Sequence, residues 1–269
     1  MTMRNLTKLT LSIGLTLLSS QGITGIAFAD ESSSQGAPTD NASPATPADL
    51  NSWTGKVMSK YLLKDYGIAA SDKPGVVSDP LVQLGDFAGF KWNSDWWSRY
   101  GFDGHPYGTT YASENDLTLT GDKQFHTSFC KKANLEVAGS YYMLANFGSL
   151  KDDVMEFYVD AGCSFDLGFT TVSPSIRPMQ VVGLGKLPSD TLVRLRAPFT
   201  GKIPFLWNAH YALEPSVTFN VTDHAGHAVT FRPTGSLSWD LTDRVNVFVG
   251  GETTSHTKPE FEAGIVIKF

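Results

Sequence analysis

Positions 157–169 alternate without a break. Phe157, Val159, Ala161, Cys163, Phe165, Leu167 and Phe169 fall on one side, and Tyr158, Asp160, Gly162, Ser164, Asp166 and Gly168 on the other. Successive side chains of an extended strand point to opposite faces, so this run has one apolar and one polar face. It is longer than an ordinary soluble strand and long enough to cross a bilayer at a tilt. A second long run, 205–221, sets Trp207, Ala209, Tyr211, Leu213, Val217, Phe219 and Val221 against Asn208, His210, Glu214, Ser216, Thr218 and Asn220. Shorter alternations follow the same rule. Leu135, Val137, Tyr141 and Met143 stand against Glu136 and Ser140, and Val193, Leu195 and Ala197 against Arg194 and Arg196. Val229, Phe231, Leu237, Trp239 and Leu241 stand against Thr230, Arg232, Ser236, Ser238 and Asp240. Pro174 and Pro178 leave 173–185 ambiguous, because proline lacks the ladder N–H. With connections at Asp223-His224-Ala225-Gly226 and Thr242-Asp243, the pattern reads as an antiparallel meander.

The last ten residues repeat the pattern. Phe261, Ala263, Ile265, Ile267 and Phe269 form one set, while Glu260, Glu262, Gly264 and Lys268 form the other. An aromatic carboxyl terminus preceded by apolar residues at every second position resembles the closing strand of Gram-negative outer-membrane β-barrel proteins. The resemblance implies an up-and-down transmembrane barrel whose last strand pairs with its first, and an assembly machinery that reads this segment. Counting back from Phe269 places a short turn at Thr242 and longer connections near His224, His256 and Asp152. This is the asymmetry of bacterial barrels, whose strand number is normally even. About ten strands are expected, with eight to twelve open.

The chain begins with an export signal: Arg4 and Lys8, an apolar core over 9–18, and Ala27-Phe28-Ala29 as the cleavage site, so 1–29 reads as a signal peptide. Residues 30–50, rich in Ser, Ala, Pro and Asp, read as a disordered linker. Leu50, Trp53, Val57 and Tyr61 recur at helical spacing behind Asp49, predicting a short helix in a periplasmic segment over 51–80. The barrel is then expected over 81–269.

Composition agrees with an exported barrel. Mean hydropathy is -0.12, and 41% hydrophobic residues are ordinary for a folded chain, so the membrane signal must lie in alternation rather than in an apolar helix. A net charge of -6 without a basic run argues against nucleic acid as a partner. Cys130 and Cys163 are too few for a disulfide scaffold and are expected to be free thiols, Cys163 lying in mid-strand on the apolar face and Cys130 at a turn. Phe87, Phe90, Trp92, Trp96, Trp97, Tyr100, Phe102, Tyr107 and Tyr111 crowd into one span. An interfacial girdle is preferred over a stacking platform for a sugar or nucleobase. Within that span Ser94-Asp95-Trp96-Trp97 is similar to a tetrapeptide near the mature start of nucleoside-specific outer-membrane channels.

Alternation alone does not say which face points inward. A soluble lipocalin-like barrel would turn Phe165 and Phe219 around a ligand, whereas a membrane barrel turns them to lipid. With lipid outside, Asp160, Asp166, Arg194, Arg196, His210, Glu214, Arg232, Asp240, Glu252 and Glu262 point into the lumen. There they either pair into a packed interior or form an eyelet that orients hydrated solutes. The expected function is passive passage of small hydrophilic solutes through the outer membrane. The alternative is a closed barrel that anchors or interacts. A third reading, a lipid hydrolase, rests on His126 and Ser128 sharing a strand face as base and nucleophile, with no convincing orienting acid. Asp223, His224 and His227 share a loop, but polar loop residues outnumber metal ligands, and neither a metal nor a cofactor is expected.

Overall fold

The computed structural model describes residues 51–59, 61–63, 68–71, 74–101, 113–130, 132–143, 153–184, 188–222 and 227–269. The signal peptide, the linker and the loop residues Asp223 and His224 lie outside them. Extended backbone accounts for every regular element among the described residues. Sixteen strand segments run in order: β1 Ser52–Met58, β2 Tyr61–Leu63, β3 Ile68–Ser71, β4 Gly75–Phe87, β5 Phe90–Gly101, β6 Ser113–Phe125, β7 Lys132–Met143 and β8 Val154–Asp166. They continue with β9 Thr170–Val172, β10 Ser175–Gly183, β11 Asp190–Arg196, β12 Phe199–Ile203, β13 Ala209–Asn220, β14 Val229–Thr242, β15 Val245–Glu252 and β16 Glu260–Lys268.

β2 and β3 pair only with each other, as a separate hairpin. β9 with β10, and β11 with β12, are halves of single interrupted strands, which leaves twelve strands around a closed antiparallel barrel. Twelve replaces the expected ten. The interruptions have a common cause in proline. Cys163 N–H donates to Pro174 O (3.1 Å), Ser173 N–H to Pro198 O (2.9 Å) and Ala197 N–H to Pro215 O (3.1 Å), while Pro215 registers with Pro233. Proline cannot donate to a ladder, so prolines on adjacent strands gather along one crease where the strands bend. That crease made 173–185 unreadable as a strand.

β1 closes the barrel on β16, with Ser52 opposite Lys268 and Met58 opposite Glu262, and it also pairs with β4. The helix predicted from Leu50, Trp53, Val57 and Tyr61 is therefore wrong, and 75–80 belongs to a barrel strand rather than to a periplasmic segment. On the outer side of this seam the Trp53 indole covers Gly55 and donates to Ser78 Oγ at 2.9 Å. Inside it, a Cβ on Gly264 would lie 2.6 Å from the Phe248 ring, so only glycine fits opposite that side chain.

The wall is apolar outside and polar inside. On β8, Glu156 and Asp160 are buried while Phe157 is 47% exposed; Phe165 and Phe219 stand 37% and 39% exposed on the outer surface. A water-soluble barrel has the opposite arrangement, so the lipocalin-like alternative is excluded. Each such side chain moved from water to hydrocarbon contributes about 1.5–3 kcal/mol, which makes lipid the stable surrounding for this wall. The closing-strand residues Phe261, Ile265, Ile267 and Phe269 all lie on this outer face.

The two ends differ. Connections at the end holding Asn51 and Phe269 are short, at 88–89, 126–131, 167–169, 204–208 and 243–244. Those at the other end, 59–74, 102–112, 144–153, 184–189, 221–228 and 253–259, are mostly longer. Bacterial barrels keep their short turns at the periplasm.

The two cysteines are joined: Cys130 and Cys163 form a disulfide with Cα atoms 6.0 Å apart. The free-thiol expectation fails because β7–β8 registration places Cys163 opposite Ala133, within reach of the turn that carries Cys130. Thr127 Oγ1 accepts the Cys130 N–H at 3.2 Å, holding that turn in place.

Candidate lumen site

Antiparallel pairing aligns side chains from successive strands into rows across the inner wall. One row runs Lys91, Asp122, Glu136, Asp160, Arg177, Arg194, Thr218 and Thr230, from β5 to β14. The acids on β6–β8 thus meet the bases on β10 and β11. Arg177 is the centre of this meeting. Its Nε donates to Asp160 Oδ2 at 2.7 Å, a terminal nitrogen donates to Glu136 Oε1 at 2.9 Å, and the guanidinium lies 3.9 Å from the centre of the Tyr158 ring. Arg196 reaches the same Asp160 oxygen at 2.7 Å, donates to Ser175 Oγ at 3.0 Å and approaches Glu214 at 3.7 Å. Asp160, Arg177 and Arg194 are 0% exposed. Charges so withdrawn from water persist only when paired, and removing one partner is far costlier than never having had the pair.

Two further pairs lie on the same inner face. Lys56 binds Glu262 at 2.8 Å across the closing seam, and Arg232 binds Glu252 at 3.1 Å between β14 and β15. Near the short-turn end, His210 Nε2 lies 3.2 Å from Asp240, which also accepts from Asn246 Nδ2 at 3.1 Å. Asp166 sits at the rim, where its side chain accepts the Gly168 N–H at 2.9 Å and shapes the turn.

The inner charges are segregated. On β4–β8 the acids Asp79, Asp95, Glu114, Asp116, Asp122, Glu136, Glu156 and Asp160 face inward against Lys91, Arg99 and Lys132. On β10–β14 the bases Arg177, Arg194, Arg196, Lys202 and Arg232 predominate over Asp190, Glu214 and Asp240. A lumen with one acidic and one basic wall carries a field across its axis, which acts on any charged or dipolar solute inside.

Of the residues predicted from sequence, Asp160, Arg194, Arg196, His210, Glu214, Arg232 and Asp240 all face inward. Sequence reading passed over Arg177, because Pro174 and Pro178 flank it, and did not select Glu136, although its alternation on β7 was visible. The acids of β4 and β6 were missed with their strands. Two adjacent tryptophans separate by parity: Trp96 is exposed on the outer face, and Trp97 is buried on the inner one. Phe87, Trp96 and Tyr100 stand exposed on the outer side of this span, while Phe102, Tyr107 and Tyr111 lie outside the described residues. His126 and Ser128 do not share a strand face. β6 ends at Phe125, and both residues are exposed in the following turn, so the geometry assumed for a hydrolase pair is absent. Among the described residues no group of three or more His, Cys, Asp or Glu side chains is placed to hold a metal ion.

No protein-family model and no curated protein matches the sequence. Solved structures do match in fold. An outer-membrane channel from Pseudomonas putida F1 superposes with a TM-score of 0.50 at 11% identity, covering 87% of this chain and 100% of the other. The NanC porin gives 0.49 at 11%, with 82% and 100% coverage, and the KdgM porin 0.47 at 10%, with 81% and 99%. At these identities the likeness is one of architecture: a closed antiparallel barrel of the outer-membrane kind.

Proposed function

We propose that this outer-membrane β-barrel is a passive channel for small hydrophilic solutes. Selection is made by the inward-facing charges, with Asp160, Arg194, Arg196, His210, Glu214, Arg232 and Asp240 among the selecting groups. The observation that carries the proposal is the segregation of the inner wall into an acidic sector on β4–β8 and a basic sector on β10–β14. A barrel needing only to be filled gains nothing from separating its charges, whereas a conduit uses the separation to orient what passes. Because acids outnumber bases on this wall, a modest preference for cations follows. In this reading a signal peptide over 1–29 delivers the chain to the periplasm, and the closing strand is the segment read by the assembly machinery. No catalytic step is assigned to His126 or Ser128.

One observation favours a second reading. Complete burial of Asp160, Arg177 and Arg194 supports a closed barrel whose interior is stabilised by ion pairs and whose role is anchoring or interaction. Single-channel recording of the refolded chain in planar bilayers separates the two, once heat-modifiable gel mobility has established a folded barrel. Steady unitary steps are expected. Folded protein without steps would reject the channel and leave the closed barrel.

A further inference from the structure

The outer wall holds one cation in a setting its neighbours do not share. Lys123, near the short-turn end of β6, registers with Leu135 in a row whose members face outward. Its Nζ lies 5.6 Å from the centre of the Phe90 ring and 5.4 Å from that of Phe125, so the charge is met by two ring faces. The adjoining turn is shaped around it. Gly89 has φ +76°, and a Cβ there would lie 3.1 Å from Nζ; the Trp92 indole donates to Phe87 O at 3.0 Å and braces the same β4–β5 turn. Asp122, next to Lys123 in sequence, and Asp86, across the β4–β5 hairpin, both register with Lys91 on the lumen side.

Height decides what this cation meets. The short-turn end is ringed by exposed apolar side chains, among them Phe87, Phe129, Phe169, Phe205 and Phe269. A ring of aromatics on a barrel marks the boundary between hydrocarbon and headgroups. A lysine at that boundary buries its stem and directs its ammonium to the headgroup layer. The leaflet at the short-turn end is the periplasmic one, built of phospholipid.

We propose that Lys123, cradled by Phe90, Phe125 and Gly89, binds the phosphate of a periplasmic-leaflet phospholipid, with preference for an anionic headgroup. The proposal rests on the membrane-barrel reading but not on conduction. To test it, the full chain is refolded into nanodiscs of phosphatidylethanolamine with a minor fraction of phosphatidylglycerol, and lipid retained after mild detergent extraction is counted by native mass spectrometry. Lys123→Met, which keeps the apolar stem, is expected to retain phosphatidylglycerol about fivefold less, as loss of one interfacial cation implies, and Lys123→Arg to retain it as the parent does. Equal retention by Lys123→Met and the parent would overturn the proposal. Displacement of the lipid by millimolar inorganic phosphate alone would also overturn it, showing a free-anion site instead. Heat-modifiable mobility is read on each variant. Its absence in the parent would mean that the barrel reading had failed, and its absence in Lys123→Met alone would shift the comparison to Lys123→Gln.

Discussion

The two halves of the inner wall use charge differently. On the β10–β14 half, guanidinium groups are held at short range by carboxylates from neighbouring strands, and Asp160 serves Arg177 and Arg196 at once. On the β4–β8 half the acids outnumber the bases, and Glu136 and Asp160 are met by guanidinium groups of the other half. Prolines crease the first half, whereas the strands of the second are long and unbroken by proline gaps, with a bulge in β4 between Gln83 and Gly85. Shared acids thus tie the base-rich wall together, and the acid-rich wall carries the larger excess of one sign of charge.

The largest way to break this contrast is Asp160→Ala. It removes the carboxylate common to two buried guanidinium groups and should destabilise the barrel by about 3–5 kcal/mol, measured as the shift in the urea dependence of folding into vesicles. Asp122→Ala, on the same row but short of the arginines, should cost much less. Comparable losses from both would erase the distinction between the halves. Next comes the staple beside them. Replacing Cys130 and Cys163 by serine, or adding reductant, should cost about 2–4 kcal/mol, read as a lower temperature for loss of heat-modifiable mobility. An unchanged transition would mean that β7–β8 pairing alone holds the turn.

Selectivity comes third. Arg194→Ala should raise the cation-to-anion permeability ratio and Glu114→Gln should lower it. Each change should be about twofold to fivefold, the scale of one unit charge acting over several ångströms of hydrated lumen. Reversal potentials in asymmetric salt read both, and shifts of the same sign would defeat the opposed-wall account. The smallest effect is that of salt itself. Raising ionic strength from about 0.1 M to about 1 M shortens the screening length from roughly 10 Å to roughly 3 Å and should shrink both shifts.

Much of this architecture was legible in local pattern. The runs at 157–169 and 260–269 marked strands, assigned faces and identified Asp160 as inward, because a strand repeats every two residues and needs no partner to do so. The same arithmetic explains the failure at β1. Trp53, Val57 and Tyr61 are spaced by four, which is close to one helical turn and also an even number, so a helix stripe and a strand face look alike. Trp96 and Trp97 were separable by parity and were instead read together as a girdle.

By itself, then, the sequence determined alternation, the inside-out assignment once lipid was chosen, and the order of turns and loops, all of which follow from the backbone period and from residues adjacent in the chain. The tertiary structure decided the number of strands, the Cys130–Cys163 link, and the meeting of Arg177 with Glu136 and Asp160. These depend on register between strands and on closure of β1 onto β16, and register is a property of pairs of segments that no single segment carries.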